Sequence, residues 1–198
     1  MTKEEKKFIQ SVRRRVANVA IGASTVHGAP EKTAETIRKF LADDVRKDGT
    51  RDKDALKINP LINAKSEKAF IKALNRATMD LDTFLQKEIK GEKSWGRARK
   101  CLNIFLRDFF YNRYLYDHYQ LKKKRDLESW LEIPLDSHVA KGIKTDSAKN
   151  QNLPRWKTVI GLEKENSELY QCAAAKIAKN KYKTHRIHLD LVYWRQPN

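Results

Sequence analysis

The chain has 198 residues, 40% of them hydrophobic, and carries 42 Lys and Arg against 25 Asp and Glu, a formal charge of +17. That length supports one compact unit spanning 1–198 with a core of its own, and the charge excess favours a polyanionic partner through counterion release, nucleic acid foremost. A membrane span is excluded because no apolar run approaches about 20 residues, and a zinc or iron–sulfur site is excluded because Cys101 and Cys172 lie far apart with no Cys/His cluster. The charged start MTKEEKK leads into no signal-peptide core, so the expected compartment is the cytoplasm, with reduced and mostly buried thiols.

From Lys3 to about Ile21 the apolar residues Phe8, Ile9, Val12, Val16, Val19 and Ala20 recur at helical spacing, interrupted by Arg13, Arg14 and Arg15. The loop GASTVHGAP follows. Its Ser24, Thr25 and His27 suit hydrogen bonding to a phosphate, and equally suit satisfying backbone groups between two helices. Beyond Pro30 a second helix carries Ile37, Phe40, Leu41 and Val45. The charged stretch DVRKDGTRDKD reads as an exposed loop and lacks the ligand alternation of an EF-hand.

Ser66 stands before a helix from about Glu67 to Lys90, which Gly91 ends. After the Trp95-Gly96 turn the longest apolar pattern begins, with Cys101, Leu102, Ile104, Phe105, Phe109, Tyr111 and Leu115, and reads as a central helix contacted on several sides. The run Lys122, Lys123, Lys124 and Arg125 reads as solvated surface. Leu127 to Glu132 makes a short helix or turn, and Ile133-Pro134 forces an extended approach to Asp136, which is placed to N-cap a helix through Val139, Ala140 and Ile143. Ser167 is placed to cap a further helix through Leu169, Tyr170, Ala173, Ala174, Ile177 and Ala178. The tail RIHLDLVYW fits either a strand or a closing helical turn. The expected fold class is all-α.

Two chemically capable groups stand near the starts of predicted helices, Lys100 in WGRARK and Asp136 in IPLDSHVAK. A carboxylate held beside C1′ of a nucleoside stabilises the positive charge that builds on the sugar when the bond to the base breaks. An isolated Asp after Pro-Leu also serves as a plain helix cap.

The segment IPLDSHVAK resembles the signature around the essential aspartate of the helix-hairpin-helix DNA glycosylase superfamily, where Pro-x-Asp is followed by a small polar residue, a variable residue and Val. The tail RIHLDLVYW is similar to the closing segment of the 8-oxoguanine and archaeal 8-oxoguanine glycosylase types. The resemblance covers about the last third of the chain. It implies a two-lobed helical fold with a cleft between the lobes, a monomer acting on duplex DNA without metal or cofactor, and Asp136 as the catalytic carboxylate. Lys100 takes by order the place of the lysine that attacks C1′ in bifunctional members, and burial on an apolar helix favours the neutral amine such an attack needs. Water activated by Asp136 is the alternative nucleophile.

The family's phosphate-binding Leu-Pro-Gly-Val-Gly hairpin is missing, so the hairpin is degenerate or replaced. Ser24, Thr25, His27, Arg97, Arg99, His138 and Lys141 are the candidate DNA contacts, and Trp95, Asn103 and Tyr111 the candidate base-pocket residues. The expected activity is excision of a damaged or modified base, in repair or in defence against phage with modified DNA. A non-catalytic nucleic-acid-binding protein on the same scaffold is the second reading.

Overall fold

The structure, a computed structural model, describes residues 2–42, 54–91, 93–124, 126–147 and 152–194. The fold is all-α, with ten α-helices and no strand among the described residues. Most of the charged loop expected after the second helix, and Arg125 of the basic run, lie outside them.

Helix α1 (Lys3–Ala20) opens with a capping box in which the Thr2 side chain accepts from the Glu5 amide and the Glu5 side chain accepts from the Thr2 amide. Its buried Arg13 donates to the carbonyls of Leu41 and Leu56, fastening α1 to the end of α2 (Thr33–Ala42) and to the chain beyond it. A short α3 (Asn59–Ile62) leads to α4 (Glu67–Glu88), whose cap is Ser66 accepting from Ala69, and Gly91 turns the chain with a φ of +79°.

Helix α5 (Trp95–Tyr111) is the centre of the molecule, with Ala98, Cys101, Leu102, Phe105 and Phe109 fully enclosed. Trp95-Gly96 is its first turn rather than a turn before it. A side chain at Gly96 would collide with the carbonyl of Val159, so only glycine allows that close approach. The expected continuous helix breaks at Asn112, which caps α6 (Arg113–His118) by accepting from the Leu115 amide. Lys122 and Lys123 are exposed in a 3₁₀ turn, as a solvated basic run requires.

After α7 (Leu127–Trp130), residues 131–136 are not helical, consistent with Pro134, and α8 (Ser137–Asp146) starts from Asp136. Helix α9 (Lys164–Ile177) begins three residues earlier than Ser167, which is buried inside it rather than capping it. A π-helical turn (Ala178–Tyr182), a 3₁₀ turn (Arg186–His188) and α10 (Leu189–Trp194) complete the chain, so the apolar tail is helical. Cys101 is buried, whereas Cys172 is exposed, against the expectation for both thiols.

The buried apolar residues form two clusters. One draws on α1 to α7 and on Ile187; the other runs from Ile133 through α8 and α9 to Tyr193. Leu131 belongs to the first and Ile133 to the second, so the chain leading to Asp136 crosses between them.

Candidate active site

Asp136 is placed by a stack of local constraints. Gln171 of α9 donates to the Ile133 carbonyl at 2.8 Å and accepts from the Ile133 amide at 3.0 Å, pinning the segment that carries Pro134. One carboxylate oxygen of Asp136 then accepts from the Val139 amide at 3.0 Å, the N-cap bond. The other lies 3.5 Å from Nζ of Lys100, and both side chains are about nine-tenths buried. Lys100, in the second turn of α5, and Asp136, at the head of α8, are brought together by the fold although no local pattern links them.

The pair lines a cavity of about 340 Å³, within the roughly 300–1,000 Å³ of small-molecule sites. Ser24 and Thr25 contribute one wall from the turn after α1, and α5 adds Ile104, Arg107, Asp108 and Tyr111. Pro134 lies beside Asp136, and α10 closes the site with Asp190, Leu191 and Trp194. Trp194 is 58% exposed, its ring tilted over that of His138 at a centroid distance of 5.9 Å.

Of the residues singled out from sequence, Lys100, Asp136, Ser24, Thr25 and Tyr111 therefore share one cavity. Tyr111 sits on its wall with the hydroxyl 2.7 Å from Nδ1 of His188, whose Nε2 is 3.0 Å from a carboxylate oxygen of Glu128. Burial raises the Tyr111 phenol above its ordinary pKa. His27, His138 and Lys141 are exposed and off the cavity wall.

The remaining expectations meet a different arrangement. Arg97 and Arg99 are 4% and 3% exposed, which closes both to a DNA backbone. Arg99 donates to both oxygens of buried Glu132, at 2.8 and 3.0 Å, and to Thr78, with Trp95 stacked 5.3 Å away. Burial works against the Glu132 charge, but Arg99 and, more weakly, Arg186 and Asn103 hold its carboxyl below the ordinary range. Asn103 donates to Glu132 and is 2% exposed, and Trp95 packs against the second apolar cluster; neither lines the cavity. Arg99 is thus satisfied from within by Glu132 and Thr78, and Asn103 gives its amide donor to Glu132.

Sequence reasoning missed Arg107, Asp108 and Asp190. Arg107 donates to Asp190 and, at 2.8 Å, to Asp108. Burial disfavours the Arg107 charge, yet these two carboxylates raise its pKa above the ordinary value. Burial pushes Asp190 up to about 6, with the charge of Asp136 adding to the shift and Arg107 opposing it. A lone acid inside the apolar run LDLVYW was the available signal. Among the described residues no cluster of His, Cys, Asp and Glu is suited to a metal, and no helix is long and apolar enough to cross a membrane. Comparison with known proteins found no matching family model, no matching curated protein and no matching solved structure.

Proposed function

We propose that the chain is a DNA glycosylase, acting in the cytoplasm as a monomer, that flips a damaged or modified base out of the duplex and cuts its N-glycosidic bond. The observation that carries this reading is the Lys100–Asp136 pair, 3.5 Å apart and largely buried on the wall of one cavity. The helix-hairpin-helix glycosylase resemblance attached a role to each residue, and the fold brings them together from distant positions. The charge of +17 supplies the attraction to DNA. A two-lobed reading with DNA entering between the lobes fits the two apolar clusters and the cavity wall drawn from elements of both.

In this reading Asp136 uses one oxygen to fix its own orientation and presents the other to the reacting sugar. Its charge stabilises the cationic C1′ as the base departs with the bonding electron pair. The Lys100 amine attacks C1′ in its unprotonated form, and the resulting ammonium loses its proton to Asp136; alternatively Asp136 takes the proton of an attacking water. Tyr111 and Trp194 offer aromatic surface to a flipped base, and Ser24, His138 and Lys141 offer donors to the flanking phosphates, whereas the Thr25 hydroxyl is already given to the Ala20 carbonyl. An oxidised purine or a bulky modified pyrimidine is the expected substrate, the first placing the protein in base excision repair and the second in defence against phage.

The test is incubation with duplexes carrying modified bases, followed by alkali to reveal abasic sites. Wild type is expected to release one class of base, and Asp136→Asn, which keeps the cap but not the charge, to release less than a tenth as much while binding DNA almost as tightly. Binding with no release from any duplex would favour the non-catalytic nucleic-acid-binding reading.

A further inference from the structure

Three carboxyl groups line the cavity, those of Asp108, Asp136 and Asp190, and the reaction proposed above uses only one. Asp190, on α10, is 3% exposed and accepts from Arg107; Asp136, on α8, faces Lys100. The charged and titratable groups on the cavity wall around Asp190 are Arg107, Asp108, Lys100 and Tyr111 from α5 and Asp136 from α8. Glycosidic cleavage asks for two unlike groups, one stabilising charge at the sugar and one giving a proton to the leaving group. Asp136 has both oxygens engaged, one by the Val139 amide and the other facing Lys100, and takes the task at the sugar. Of the other two, Asp190 is the more deeply buried, its side chain 5% exposed against 22% for Asp108, and so is the carboxyl better suited to hold a proton.

Resting on the glycosylase reading, we propose that Asp190 is the catalytic acid of this cavity, giving its proton to the departing base while Asp136 and Lys100 act at C1′. The C1′–N bond breaks with both electrons going to the base nitrogen, and the Asp190 proton moves to a ring nitrogen or oxo oxygen of the base. Asp190 is left as a carboxylate whose charge Arg107 meets, and solvent returns the proton once the base has gone. Burial and the Asp136 charge fit this task, since they keep the Asp190 proton in place up to about pH 6.

Single-turnover base release is measured from pH 5 to 9 on duplexes carrying 8-oxoguanine, 5-hydroxymethylcytosine or 7-methylguanine. The first two bases need a proton to leave as neutral molecules, whereas 7-methylguanine is already cationic. Release of a neutral base by wild type should fall about tenfold per pH unit above about 6, the carboxyl's midpoint. Asp190→Asn should lose roughly 10²–10⁴-fold on that base and show no such fall. Its release of 7-methylguanine should stay within about threefold of wild type where wild type accepts that base, because no proton is needed. Wild-type rate and pH profile in Asp190→Asn would overturn the role while leaving the glycosylase reading intact. No release by wild type from any duplex would remove both. Carboxyl ¹³C resonances of the full chain give a readout that does not depend on turnover: Asp190 should titrate near pH 6 and move lower in Asp136→Asn, and an Asp190 already ionised at pH 5 would overturn the role.

Discussion

Glu132→Gln should destabilise the protein severely without touching the cavity. Glu132 and Arg99 have side chains 4% exposed and share two hydrogen bonds, and Asn103 donates a third to Glu132 at 3.1 Å. The Gln variant leaves the guanidinium buried with no countercharge and turns one amide hydrogen-bond donor toward it. Removing one partner of such a pair costs about 3–5 kcal/mol. For a chain of this size each kcal/mol lowers Tm by about 2–4 °C, so a fall on the order of 10 °C is expected. Urea unfolding of Glu132→Gln, Arg99→Met and the double variant closes the cycle. The double variant should recover at least about 2 kcal/mol of the summed losses, since with both ions removed neither charge is left stranded. A cost below about 1 kcal/mol for Glu132→Gln would refute the reasoning. So would an Arg99→Met protein of wild-type stability and weakened DNA binding, which would return Arg99 to the phosphate contact its sequence context suggested.

Three further outcomes follow from the site and the charge. DNA affinity should fall a few hundred-fold between 50 and 200 mM salt for about five phosphate contacts, measured by fluorescence anisotropy; a flat response would point to a protein partner instead. Borohydride should trap a covalent protein–DNA adduct in wild type and none in Lys100→Gln, whereas an intact abasic site with no adduct would assign the attack to water. The Asp190 carboxyl, raised from 3.8 to about 6, binds its proton more tightly folded than unfolded, so the stability it contributes is present below pH 3.8 and lost as pH rises through about 6. That shift corresponds to about 3 kcal/mol, so the stability of Asp190→Asn relative to wild type should improve by that order between pH 3.5 and 7, and equal pH dependence in urea titrations would contradict it.

The helices were legible because their signals are local: Ser66 and Asp136 as caps, Pro134 before an extended approach, Gly91 as a stop. Lys100 and Asp136 were picked out through the family resemblance, and their meeting on one cavity wall had no local signal. Arg99 misled because its partner, Glu132, lies 33 positions away, and a buried ion pair leaves no trace in spacing. Arg13 was opaque for the same reason, since its acceptors include the carbonyls of Leu41 and Leu56, 28 and 43 positions away. Asn112 hid inside an unbroken apolar pattern, where only its side chain reaching the Leu115 amide divides one helix into two. Asp190 had a visible signal, an acid among apolar residues, but its meaning depended on Arg107 arriving from a helix 83 positions earlier.

Gly142 has no side chain of its own, and any added Cβ would fall on the ring of Tyr193, whose hydroxyl in turn donates to Asp146 at the far end of the same helix. Helices α8 and α10 are thereby riveted together. That contact joins the helix headed by Asp136 to the helix that carries Asp190, so the aperture between the two carboxyls depends on backbone packing. In the glycosylase reading proposed above, discrimination between one modified base and another would then depend on a residue off the cavity wall. Widening the aperture for a different base would begin at the seam between Gly142 and Tyr193, and not among the groups that perform the chemistry.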